Sequence, residues 1–193
     1  MRLFVGLAIP DSIRNAISKY VDDARRLAPD AKWVKPDSYH VTLKFIGEWR
    51  RDVREVIAAL ETIHGPPLDI AFREIGFFPN AHSPRVFWTG IHADDTLPQL
   101  AKTIDDTTAT LGIDRDDRQF NPHLTLARSG SGSPRPKREE HTTPGMKRLA
   151  ERIGAMPSPD FGTMHATEFF LYESKLSTVG AQYTKLKSFP LGG

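Results

Sequence analysis

The spacing of apolar and polar residues divides this chain into short, alternating elements. "RLFVGLA" at about 2–8 is a compact apolar run that reads as a first strand. Pro10 and Asp11 suit a helix start, and Ile13, Ala16, Ile17, Tyr20, Val21 and Ala24 recur at helical spacing, predicting a helix to about Leu27. "AKWV" is a short strand candidate, and "HVTLKFIG" (40–47) follows with strand alternation. "RRDVREVIAALETIH" predicts a second helix with Val53, Ile57 and Leu60 on one face. "LDIAFREIGFF" and "RVFWTGIH" read as two strands joined by the turn-forming "PNAHSP". A third helix is expected over about 96–111, a strand from 123, a fourth helix near 146–153, and two last strands around 163–173 and 182–189. Eight strands and four helices in mixed order predict an α+β fold with mostly antiparallel sheet.

Composition narrows the class. The 193 residues are 39% hydrophobic and 26% charged, which suits one medium globular domain or two small lobes sharing a core. Net charge is only +2, so anion binding has to come from local geometry. There is no cysteine, which removes disulfides, thiolate metal sites and a cysteine nucleophile, and permits a cytoplasmic home. The apolar start runs directly into "DSIRNAISKY" and reads as a strand, not a signal peptide. No apolar run approaches the roughly 18 residues of a membrane span. Residues 129–145, rich in Gly, Ser, Pro and charge, read as a long loop; Arg135, Lys137 and Arg138 belong to it.

One phrase occurs twice. Residues 40–47 are "HVTLKFIG" and residues 123–130 are "HLTLARSG"; both fit His-x-Thr-Leu-x-x-x-Gly. On a strand, the histidine and the threonine two residues later share a face, about 7 Å apart along the chain. Two such phrases facing one another supply two acid–base groups and two hydroxyl donors. That set suits phosphoryl transfer. One imidazole takes a proton from water and the other gives one to the leaving oxygen. Thr42 and Thr125 donate to phosphate oxygens as charge builds, and Arg128 adds a planar cationic fork.

The two copies differ five residues after the histidine, where Phe45 stands in one and Arg128 in the other. The expected division is Phe45 against a base or ribose and Arg128 against phosphate. Strict alternation opposes this. It puts Lys44 on the His40 face, and Phe45 and Arg128 on the opposite one, unless the strand ends, twists or bulges before Gly47 and Gly130. The remaining histidines, 64, 82, 92, 141 and 165, lack metal-ligand spacing and read as surface or structural, with His82 in a turn that could approach the space between the two phrases; Tyr183 reads as part of the final strand, with a place lining that space as the alternative.

The two phrases resemble the signature motifs of the two-histidine phosphoesterases. The likeness is strongest to the RNA 2′,3′-cyclic phosphodiesterases, also called 2′-5′ RNA ligase-like proteins. It extends to "MRLFVGLAIP", "GFFPN…PRVFWTGI", "FNPHLTLAR" and "FFLYESKLSTVGAQYTKLKSFPL", nearly the whole chain. The resemblance implies one bilobal domain over 1–193: two pseudo-symmetric lobes of antiparallel sheet, with outer helices, around a central cleft. It implies hydrolysis of RNA or nucleoside 2′,3′-cyclic phosphate to the 2′-phosphomonoester without metal or cofactor, with 2′-5′ ligation as the related reverse chemistry. His40 would be the proton donor and His123 the proton acceptor. The expected partners are RNA ends or nucleotides and no membrane, for a cytoplasmic monomer. Two other classes compete: an RNA-end binding module without catalysis, and a metal-dependent hydrolase using both histidines as ligands. The absence of an acidic residue in either phrase counts against the latter.

Overall fold

The structure, a computed structural model, describes residues 1–117, 119–130, 142–177 and 180–192. Among these, the elements run β1 (Arg2–Ala8), α1 (Asp11–Leu27), β2 (Ala31–Trp33), a single 3₁₀ turn (Pro36–Ser38), β3 (His40–Glu48) and α2 (Val53–Leu60). Then come β4 (Leu68–Phe78), β5 (Val86–His92), α3 (Thr96–Ala109), β6 (His123–Ser129), α4 (Pro144–Gly154), β7 (Asp160–Ala166), β8 (Glu168–Ser177) and β9 (Gly180–Pro190). Most of the loop expected at 129–145 lies outside the described residues, as do His141, Arg135, Lys137 and Arg138.

The strands form two antiparallel sheets, ordered β3-β1-β8-β9 and β2-β6-β5-β4-β7. The lobes repeat one unit: β1 leads through α1 to β3, and β5 leads through α3 to β6, each pair adjacent and antiparallel. The helices cross over. α1 packs against β7 of the second sheet, and α3 against β3 of the first. One core therefore joins both lobes, with Leu3, Val5 and Leu7 from β1, Ile70 and Phe72 from β4, and Leu124 and Leu126 from β6. This is the α+β, two-lobed arrangement expected from the sequence.

Two expectations are corrected. The run around 163–173 is not one strand. It breaks at Thr167 into β7, paired with β4, and β8, paired with β1 and β9 in the other sheet. The alternation of Met164 and Ala166 with polar neighbours is interrupted at the break by two polar residues, Thr167 and Glu168, and gives way to the apolar run 169–172. The Thr167 carbonyl accepts from the Leu191 amide at 2.7 Å, which ties the crossing to the end of the chain. Beyond it, Phe169 and Leu171 enter the main core, while Phe170 and Tyr172 join Phe4 in a second apolar cluster.

Lys44 is the other correction. Thr42 pairs with Gly6 and Lys44 with Val5, leaving Leu43 as an extra residue in the strand. This bulge reverses parity, so Lys44 points inward and is 1% exposed. Its ammonium donates to Asp105 Oδ1 of α3 at 2.5 Å and to the Asp114 carbonyl at 2.7 Å, and lies 3.1 Å from Asp116 Oδ2. The Asp116 amide also donates to Asp105, at 3.1 Å. A buried cation thus fastens β3 to the crossover helix of the other lobe and to the segment leading into β6.

Burial pushes the Asp105 carboxyl up, but the Lys44 ammonium, the Asp116 amide and Arg115 outweigh it and hold the group below its ordinary value. A depressed carboxyl adds stability above its unfolded value, near 4, and loses it as pH falls through the lower folded value. Lys44→Met should therefore cost about 1–3 kcal/mol near neutrality, the scale for leaving a charged hydrogen-bond acceptor without its partner. Urea unfolding across pH checks this: the gap between wild type and variant should narrow below about pH 4, and a gap independent of pH would contradict the ion-pair account.

Candidate active site

Each motif histidine is the first residue of its strand. His40 follows the 3₁₀ turn, and its Nδ1 lies 2.8 Å from the Ser38 carbonyl oxygen. His123 follows "FNP", and its Nδ1 lies 2.8 Å from the Asn121 carbonyl oxygen. A carbonyl only accepts, so Nδ1–H donates in both rings and Nε2 is left to take or release a proton. The repeated phrase thus repeats a geometry: an imidazole aimed by the main chain two residues upstream.

Both histidines line one cavity of about 1100 Å³, together with Thr42, Thr125, Phe45 and Arg128. All six residues singled out from the sequence meet there. The parity obstacle disappears because both strands bulge at the same place. β6 repeats the irregularity of β3: Thr125 pairs with Trp88 and Ala127 with Phe87, leaving Leu126 extra. Leu43 and Leu126 are each the third residue after the histidine, and each is buried beside another buried residue, Lys44 or Ala127. Phe45 and Arg128 are thereby returned to the histidine face. Phe45 is 61% exposed, an aromatic ring left against solvent in a cavity wall. Gly6, opposite Thr42, is needed for close approach: a Cβ there would stand 2.7 Å from the Val41 carbonyl oxygen.

The surroundings of the two rings differ. His40 packs on Phe4 at 4.7 Å and meets the edge of Tyr183 at 4.8 Å. Burial pushes its pKa below the ordinary histidine value, against the opposing pull of the Ser38 carbonyl. His123 meets Phe78 edge-on at 5.0 Å. Burial raises the Tyr183 hydroxyl, while the nearby charges of Arg128 and Arg2 pull it down.

Several contributors were not readable from side-chain identity. The carbonyls of Ser38 and Asn121 belong to the backbone, which carries no sequence signal. Tyr183, assigned to the last strand with the cleft wall as an alternative, stands in the cavity wall, as does Phe78. Asp105, Asp116 and Asp117, interleaved with Lys102 and Arg115, give the cavity a rim of both charges next to the Lys44 clamp. Of the other described histidines, His82 sits outside the cavity in a turn where Asn80 Oδ1 accepts from its backbone amide. His92 lies 3.2 Å from Glu74, and His165 2.8 Å from Asp69. Among the described residues there is no cluster of three or more His, Cys, Asp or Glu placed to hold a metal ion, and no helix long and apolar enough to cross a membrane.

In the free protein His40 should titrate below the ordinary histidine value. Tyr183→Ser, which opens one side of the ring to water, should move it back up. Histidine Cε1–H NMR across pH reads both. An unshifted His40, or no upward movement in the variant, would contradict the burial argument.

Comparison with known proteins agrees with this arrangement. The family model for LigT like phosphoesterase matches residues 7–88 and again 91–180, one match to each lobe's motif. The chain is 30% identical over 196 residues to the RNA 2′,3′-cyclic phosphodiesterase of Methanothermobacter thermautotrophicus, covering 99% of both chains. It is 31% identical to the protein of that name from Aquifex aeolicus, covering 100% of this chain and 98% of the relative. Its fold matches the crystal structure of E. coli LigT complexed with 3′-AMP with a TM-score of 0.77 at 26% identity, over 100% of this chain and 98% of that one. With matches covering most of its length, this chain belongs to the LigT-like family of two-histidine phosphoesterases.

Proposed function

We propose that this protein hydrolyses 2′,3′-cyclic phosphates on RNA ends or nucleosides to 2′-phosphomonoesters, without metal. The observation that carries this reading is the pair of imidazoles in one cavity, each with Nδ1 committed to a backbone carbonyl and Nε2 free. The names of the relatives support the substrate class.

In the forward reaction His123 Nε2 takes a proton from water as the oxygen attacks phosphorus. The bond from phosphorus to the 3′-oxygen breaks, and His40 Nε2–H gives that oxygen its proton. The 2′-oxygen keeps the phosphate. Thr42 and Thr125 donate to the non-bridging oxygens, and Arg128 pairs with the same group. Phe45 offers its exposed ring to the base or ribose. Burial makes His40 a stronger acid, but one less often protonated at neutral pH. An anionic phosphate beside it would favour the protonated form. If a 5′-hydroxyl replaces water, the same proton transfers give a 2′-5′ bond. We infer a cytoplasmic monomer.

Kinetics on a 2′,3′-cyclic nucleotide, with and without chelator, test the reading. His40→Ala and His123→Ala should each lose roughly 10²–10⁴-fold. A substrate with sulfur at the 3′-bridging position separates their roles, because a thiolate leaves without being protonated. His40→Ala should recover most of its rate on that substrate and His123→Ala should not. Recovery by His123→Ala instead would reverse the assignment. Near-normal turnover by either variant on the oxygen substrate would sink the mechanism. Wild-type binding without turnover would point to an RNA-end binding module, and loss with chelator to a metal enzyme.

The phosphate and base contacts have separate signatures. Thr42→Val and Thr125→Val should each lower kcat on the order of 10²-fold, with serine retaining most activity. Arg128→Lys should lower kcat, since a point charge cannot reproduce the fork. Phe45→Ala should mainly raise KM, consistent with stacking worth about 1–3 kcal/mol per base. Losses explained wholly by lowered melting temperature would remove these residues from the site.

A further inference from the structure

The cleft does not end at His40. A second recess, of about 260 Å³, lies beyond the ring and shares Ser38, His40 and Tyr183 with the main cavity. Two cations stand in its walls, Arg14 from α1 and Lys185 from β9. Arg14 is held in place: its guanidinium donates to the Ile9 carbonyl at 3.1 Å and lies 2.9 Å from Asp11. Asp37, at the rim, lies 4.0 Å from Arg14 and offsets part of its charge. Lys185 is different. Its ammonium sits 3.9 Å from the Phe170 ring centroid and, among the described residues, has no carboxylate within ion-pair distance. The recess therefore offers one oriented guanidinium, one uncompensated ammonium, and the Tyr172 and Tyr183 rings beside them.

The order of groups across the cleft says what could reach it. With His40 at the 3′-oxygen and water arriving from the His123 side, the atoms beyond His40 belong to the terminal ribose. The next group along the chain, through C4′ and C5′, is the phosphodiester joining the terminal nucleotide to its predecessor. A singly charged phosphodiester matches what Lys185 supplies, with Arg14 as a second donor.

We propose that this recess is a subsite for the phosphodiester on the 5′ side of the terminal nucleotide, which makes the end of an RNA strand a better substrate than a free cyclic mononucleotide. The inference rests on the cyclic phosphodiesterase reading and refines its substrate class.

The test compares kcat/KM for a 2′,3′-cyclic mononucleotide lacking a 5′-phosphate with that for a dinucleotide ending in a 2′,3′-cyclic phosphate. Wild type should favour the dinucleotide by roughly tenfold or more, the scale of one charge-assisted contact. Lys185→Ala should abolish most of that preference and leave mononucleotide turnover unchanged, while Lys185→Arg keeps it. The salt dependence of dinucleotide turnover should become shallower by about 0.7 in the log–log slope, one single-strand phosphate contact. Equal wild-type rates on the two substrates would overturn the subsite. So would a preference unchanged in Lys185→Ala, or a loss shared equally by both substrates. Wild type that turns over neither substrate would instead overturn the cyclic phosphodiesterase reading itself.

Discussion

An extra residue in a β-strand sends every later side chain to the opposite face until another irregularity intervenes. In this protein that single insertion occurs three residues after each motif histidine, at Leu43 and at Leu126. Much of the cavity wall depends on it. Without the bulges, Phe45 and Arg128 would turn into the core and Lys44 would stand among the histidines. With them, each lobe presents imidazole, hydroxyl and a third group on one face, while paired buried residues hold the strand from beneath. The motif is thus a shape as well as a list of residues.

The bulge also creates a difficulty, because it drives the Lys44 ammonium into the interior. Burying a charge is costly unless it is paired and hydrogen-bonded. The partners come from the other lobe's crossover helix and from the segment that leads into β6, which ends at the carbonyl orienting His123. A requirement of local backbone geometry in one lobe is met by a contact that reaches toward the second histidine. Reciprocal helix packing gives the lobes a shared core; this ion cluster adds a polar tie at the edge of the cleft.

Much of this was legible in the sequence. Duplicated polar spacing identified His40, Thr42, His123 and Thr125, because strand periodicity puts residues two apart on one face. The contradiction between parity and the expected roles of Phe45 and Arg128 already pointed to an irregular strand near Gly47 and Gly130. What stayed hidden has physical reasons. The buried place of Lys44 depends on carboxylates some sixty or more positions away. The break at Thr167 shows only as two consecutive polar residues, Thr167 and Glu168, which interrupt the alternation without indicating which sheet the chain joins next. The Ser38 and Asn121 carbonyls carry no side-chain signal, and the burial of His40 arises from Phe4 and Tyr183, at opposite ends of the chain.

The aim of each imidazole is set by a main-chain carbonyl two residues before it, not by a carboxylate elsewhere in the molecule. No distant substitution can delete that partner, since every residue type carries one. The orientation is in this sense heritable with the backbone, and the two halves have been free to diverge around it. Lys44 faces the interior where its counterpart is Ala127, and Phe45 stands where its counterpart is Arg128. The acidity of His40 is left to its packing neighbours, Phe4 and Tyr183. Changing what covers His40 can retune that imidazole without misaligning either ring.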